Sequence, residues 1–262
     1  MQKVHLAPLW SFVGGVAGLA LVNWFGALSA AGWIAGLLYL VVSNVLLARG
    51  LRRHRTVRFG PANIATATRS TLVGIVTALV ATSFTAPIAV PLLIGLTVPA
   101  LALDAVDGWI ARRTDTITEL GGRFDMEVDA FLIFALSAYV AQELGWWVLL
   151  IGLMRYALAV AGWLLPWLQA TVPFRYWRKV VAAIAGVALA LAASGLAPRW
   201  VDDLVVLIAL GLLIESFGRD VVWLFVRHRA AVTASGRQAV RSVALPIASR
   251  RRDDIADVGR GV

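Results

Sequence analysis

The sequence predicts an all-α integral membrane protein: a six-helix transmembrane core preceded by two extra transmembrane helices. Composition is the first reason. Of 262 residues, 60% are hydrophobic and 15% charged, whereas a soluble domain averages about half apolar and a quarter charged. Patterning is the second: the apolar residues collect in runs able to cross a hydrocarbon layer of about 30 Å at about 1.5 Å per residue. The third is the placement of charge. The net charge of +9 comes from clusters at 49–58, 111–113, 174–179, 226–229 and 249–252. These fall at alternate ends of the apolar runs, as positively charged cytoplasmic loops do.

Residues 1–48 hold the two extra spans, about 8–29 and 31–48, and the start is read as a retained span because no signal-cleavage site follows. A basic cytoplasmic linker, 49–58, comes next. The core, 59–229, opens with GPANIATATRS (60–70), whose small polar residues suggest an interfacial helix. Its spans are 71–84, 88–111, 124–141, 146–167, 180–194 and 204–226. Both termini are then cytoplasmic, and Arg199 is the only Lys or Arg in an outer loop. Trp10, Trp33, Trp146, Trp147, Trp200 and Trp223 sit near span ends as interfacial anchors. Residues 230–262 lose periodicity and read as a basic, disordered cytoplasmic tail, with a surface helix near QAVRSVALPIA.

The absence of cysteine excludes disulfides, zinc-thiolate sites and thiol chemistry. His5, His54 and His228 lie in or beside basic segments without metal-ligand spacing. The basic excess reports orientation and attraction to anionic lipid heads. Nucleic-acid binding has no aromatic or fold support.

The chemistry concentrates in DAVDGWIARRTDTITELGGRFDMEVD, residues 104–129. Asp104 and Asp107 are three apart, with Gly108 and Ala111 continuing their helical face, and Asp125 and Asp129 are four apart on the next span. A short loop makes the two helices antiparallel neighbours, so the carboxylates converge at the cytoplasmic side. Left unpaired, each would cost on the order of several kcal/mol to desolvate. Arg112, Arg113 and Arg123 offset part of this. Facing carboxylates more naturally hold hard divalent cations such as Mg²⁺ or Mn²⁺, with substrate phosphates completing the shell. An ion-pair network or a cation pathway remains the alternative on spacing alone.

The pattern Asp104-x2-Asp107-Gly108-x2-Ala111-Arg112-x8-Gly121-x3-Asp125-x3-Asp129 resembles the signature of the CDP-alcohol phosphotransferases. Asn63-x2-Thr66-x2-Arg69 resembles the lead-in to that family's first core span. The resemblance covers about residues 59–226. It implies transfer of a substituted phosphate from a CDP-linked donor to an alcohol, with release of CMP, and a homodimer. It further implies that Asp104, Asp107 and Asp125 bind two divalent ions, Mg²⁺ or Mn²⁺. Asp129 would be the general base and also touch one metal. Gly108, Ala111, Arg112, Thr118, Asn63 and Thr66 would line the cytidine diphosphate.

The donor expected of a site at the membrane edge is CDP-diacylglycerol, in phospholipid synthesis at the cell membrane. The alternatives are a small-headgroup CDP-alcohol donor with a lipid acceptor, or a cation transporter built on the aspartates. Candidate acceptor-binding residues are Arg155, Arg175, Arg178 and Lys179, which suit a phosphorylated alcohol such as glycerol 3-phosphate or inositol phosphate. Arg155, well inside a span, reaches either toward the acceptor or metal site or toward a structural partner such as Glu215. Glu215 and Arg219 are spaced to pair, and Glu127 is expected to be solvated or paired with a nearby arginine. The two N-terminal spans also carry a separate reading, as a partner-docking or regulatory module.

Overall fold

Backbone groups that leave water must find partners within the chain, and a helix satisfies them segment by segment. The structure, a computed structural model, describes residues 7–26, 28–53, 61–114, 119–169 and 176–258. Side chains are described in these ranges except at 7–8, 50–53, 61–66, 104–114, 119–123, 166, 169, 176, 230–232 and 234–258.

The described residues form eight α-helices. In chain order they are α1 Ala7–Phe25, α2 Ala30–Arg53, α3 Pro61–Ser83, α4 Val90–Thr114, α5 Glu119–Leu144, α6 Leu149–Leu164, α7 Tyr176–Ser194 and α8 Arg199–Val258. Short 3-10 turns, Trp146–Val148 and Pro166–Gln169, flank α6. Among the described residues three segments are long and apolar enough to cross a membrane: Ala30–Arg49, Trp146–Leu164 and Trp177–Ser194. Leu9–Phe25, Ala67–Ser83 and Val90–Leu103 are shorter apolar helices. The chain is thus built as a multi-pass membrane protein. α5 and α8 interleave charges with their apolar residues.

Three boundaries differ from the sequence reading. The segment 60–70 is no separate interfacial helix: from Pro61 it is continuous with the apolar run as α3. Proline at the first helical position costs no hydrogen bond, and the small Ala and Thr residues that follow need no apolar face to stay helical. α2 runs on through the basic residues to Arg53, since Leu and Arg are both good helix formers. Residues 230–258 continue α8 rather than breaking into a tail. Their Ala and Arg content favours helix without the amphipathic period that a sequence reading looks for.

The chain divides into two compact units, Met1–Ala157 with Arg175–Ile214, and Leu158–Phe174 with Glu215–Val262. In the first, α3 is the central post. It packs against α1, α2, α4 and α5, while α7 packs against α4 and α5. Val73, Val76 and Ala78 of α3 are fully buried. The α1–α2 turn is capped where Gly32 N–H donates to Ser29 Oγ at 3.1 Å, satisfying one orphan donor of the first turn of α2. Ser29 N–H also reaches Thr82 Oγ1 of α3 at 3.3 Å.

At Gly32, α2 and α3 touch so closely that a Cβ would lie 2.7 Å from the Ala78 carbonyl oxygen and overlap Thr82 Oγ1. A backbone atom cannot move aside, so only glycine fits; small residues at such crossings let helices pack by van der Waals contact alone. Gly145, at φ 112°, makes the turn between α5 and the 3-10 turn before α6. Large apolar side chains such as Trp24, Ile34, Leu150 and Trp163 stay exposed on α1, α2 and α6, as suits surfaces facing lipid.

The second unit carries a compact aromatic and basic cluster. Trp167 stacks on His228 at 5.7 Å and meets Phe225 edge-on at 5.9 Å. The Arg229 and Arg227 guanidinium groups lie over Phe225 and Trp223 at 5.0 and 4.8 Å. Glu215 and Arg219 form an ion pair one turn apart on α8, as their spacing predicts.

Candidate active site

Arg69 is the most demanding residue in the first unit: a permanently charged side chain on an apolar helix, with 0% of its side chain exposed. A buried cation of this kind is tolerated only when paired and hydrogen-bonded. The structure supplies both. Its Nη1 donates to Asp125 Oδ1 at 2.7 Å, and Nη2 donates to the Asp125 backbone carbonyl at 2.9 Å. The planar guanidinium fork therefore grips α5 at two points. It fixes the second turn of α5 against α3.

Asp125 and Asp129 lie one turn apart on α5, both half-buried. Asp104 and Asp107 lie on α4, three residues apart, with Gly108, Ala111 and Arg112 in the turns that follow. Their side chains fall outside the described ones, so their placement rests on helix register. Asn63 and Thr66 belong to the first turns of α3, in the same three-residue rhythm that brings the helix round to Arg69. Thr118 and Arg175 lie outside the described residues. Arg178 and Lys179 sit in the first turn of α7 and are exposed.

Among the described residues α4 and α5 touch only slightly, and each packs far more extensively on α3. The facing ends of the two helices, where the sequence reading brings the carboxylates together, lie among side chains outside the described ones. The two carboxylate-bearing helices are joined through α3, with α7 also touching both.

Arg155 has a different partner from the ones expected. Its Nη2 lies 2.6 Å from Glu127 Oε1, while Glu215 pairs with Arg219. Glu127 is two residues from both Asp125 and Asp129, and residues two apart do not share a helix face. Arg155 is thus held beside α5 on a different side from the two aspartates. With 38% and 55% of the side chains exposed, the pair contributes only about 0–1 kcal/mol.

The Arg69–Asp125 clamp escaped the sequence reading, which placed Arg69 only in a lead-in motif. A signal was available: an arginine in an apolar helix must have an acceptor. Nothing in the sequence says which carboxylate, because the partners are 56 positions apart.

The donor chemistry of the aspartates fits a hard divalent cation, which prefers oxygen ligands. A carboxylate offers about four lone-pair sites, so the bond from Arg69 to one oxygen of Asp125 is compatible with cation ligation by the same group. Among the described residues no three metal-capable side chains are gathered; Asp104 and Asp107 are not among those side chains.

No curated protein and no solved structure matches the chain. The model of the family described as CDP-alcohol phosphatidyltransferase matches residues 59–215, from the residues just before α3 into α8. That is more than half of the chain, and it contains both aspartate pairs and the Arg69 clamp. Helices, carboxylate spacing and family model point the same way, and the chain belongs to the CDP-alcohol phosphatidyltransferase family.

Proposed function

We propose that this member transfers the phosphatidyl group of CDP-diacylglycerol to an alcohol at the cytoplasmic face of the membrane, releasing CMP. The observation that carries the reading is the full set of fixed positions from Asp104 to Asp129, distributed over α4 and α5. The family transfers a phosphatidyl group from a CDP-alcohol to an acceptor. The lipid donor is favoured by helices whose large apolar side chains remain exposed, beside which acyl chains would lie.

In the step proposed, the acceptor hydroxyl oxygen attacks the phosphorus that bears the diacylglycerol. The new P–O bond forms as the bond to CMP breaks, and CMP leaves with the electron pair. Asp129 takes the hydroxyl proton. Asp104, Asp107 and Asp125, together with Asp129, would hold two divalent ions, which neutralise the pyrophosphate charge when bound. Little covalent chemistry is asked of the protein in phosphoryl-type transfer, so positioning dominates. Asn63, Thr66, Gly108, Ala111, Arg112 and Thr118 line the cytidine diphosphate in this reading, the small residues letting it approach the helix backbone.

The acceptor is proposed to be a phosphorylated alcohol held by the cationic residues Arg175, Arg178 and Lys179 rather than by Arg155, which pairs with Glu127 on a different side of α5. The distribution of Lys and Arg supports a cytoplasmic position for both termini, and the enzyme is proposed to act as a homodimer. The test is a panel assay of CMP release from CDP-diacylglycerol by purified protein. Glycerol 3-phosphate or inositol phosphate is expected to support release where serine does not. Absence of CMP with every acceptor would remove CDP-diacylglycerol as the donor.

A further inference from the structure

The two N-terminal helices lie outside the family match, yet one residue of α2 touches both helices of the Arg69–Asp125 clamp. The Tyr39 hydroxyl is 3.4 Å from Ser70 Oγ, on the residue that follows Arg69. The Tyr39 ring lies 4.8 Å from that of Phe131 on α5, two residues beyond Asp129. Phe131 continues through Phe134, at 6.0 Å, to Tyr156 of α6, at a further 6.0 Å. One side chain from outside the matched region thus bears on the α3 half and the α5 half of the clamp at once.

The surroundings make this contact a defined one. Ser70 is only 3% exposed, and Val73, the next turn of α3, is fully buried. α2 is held to α3 at its start by the close approach at Gly32 and by the Ser29–Thr82 hydrogen bond, and level with Tyr39 by the close approach of Gly74 to Leu40 and Tyr39. Ser11 of α1 adds a hydroxyl contact to Thr71 at 3.3 Å. α2 therefore cannot slide without disturbing the turn of α3 that carries Arg69.

We infer that Tyr39 is a positioning residue for the transfer reaction: through Ser70 and Phe131 it sets the register of Arg69 against Asp125, so the N-terminal helices form part of the catalytic apparatus. Sub-ångström misplacement of a catalytic carboxylate is costly because transfer depends on alignment. The inference rests on the proposed reaction for its readout.

The experiment compares wild type, Tyr39→Phe, Ser70→Ala and the double variant in detergent, by CMP release and by thermal midpoint. Tyr39→Phe keeps the ring and its packing on Phe131 and removes only the hydroxyl. It is expected to lower kcat by about threefold to tenfold, the range that one neutral hydrogen bond supports, with donor KM unchanged and the thermal midpoint lowered only slightly. The double variant is expected to lose no more than either single one, because both remove the same contact. A Tyr39→Phe enzyme with wild-type kcat would overturn the inference, and so would additive losses. Each comparison uses whichever CDP-alcohol the wild type turns over. Failure of CDP-diacylglycerol then counts against the proposed donor, and an unchanged Tyr39→Phe against the role of Tyr39.

Discussion

Asp129→Asn is expected to reduce CMP release by about 10²–10⁴-fold, the usual contribution of a positioned general base. The substitution keeps the shape of the side chain and removes its capacity to accept a proton. Asp129 is half-buried on α5, one turn beyond the Asp125 that Arg69 holds, so its backbone position is set by a neighbour the substitution does not touch. The protein should therefore remain folded, with a thermal midpoint close to that of the wild type. The loss should appear mainly in kcat, because the proton is taken only as the new bond forms, with a smaller rise in donor KM from the weakened hold on the ion that Asp129 shares. Release comparable to the wild type would remove Asp129 from this role and return the aspartate cluster to the ion-site alternative.

Arg69→Ala should produce the largest loss of stability. The side chain is wholly buried and bonds both the carboxylate and the backbone carbonyl of Asp125. Removing one partner of such a pair costs about 3–5 kcal/mol, since the remaining charge loses its compensation. A lower thermal midpoint and loss of CMP release are expected together. Arg69→Lys keeps the charge but not the planar fork, so it cannot make both bonds with the same geometry; an intermediate result is expected. Adding Asp125→Asn to Arg69→Ala separates the two roles of the clamp. The double variant should recover part of the stability, because no uncompensated carboxylate is left, and none of the activity. Recovery of activity would mean that Asp125 acts only as a structural partner of Arg69.

Much of this architecture is legible in the sequence because the bilayer imposes a length on each apolar run. Each predicted run coincides with a helix over most of its length, though several run a few residues past its ends. Legibility fails where helix formation does not depend on apolar content. Residues 61–70 are polar and small, yet they are the first turns of α3, and the Arg- and Ala-rich stretch beyond residue 230 carries α8 onward. Neither carries an apolar period to read.

The site divides in the same way. Helical spacing alone marks Asp104 with Asp107, and Asp125 with Asp129, as pairs on common faces. Pairings across helices are hidden: Arg69 meets Asp125 across 56 positions and Arg155 meets Glu127 across 28. Arg155 shows why. Its charge announces that a partner must exist, but Glu127, Glu215 and the aspartates are equally acceptable to it chemically. Only the packing of α6 beside α5 selects Glu127.

The proposed reaction requires that the carboxylates of α4 and α5 hold divalent cations while transfer from CDP-diacylglycerol proceeds. Its most direct test is CMP release by the purified wild type, with the acceptor it prefers, before and after EDTA and through a titration of Mg²⁺ or Mn²⁺. EDTA is expected to abolish release, and either ion, added back in excess of the chelator, to restore it. Release that is indifferent to chelation would contradict this requirement.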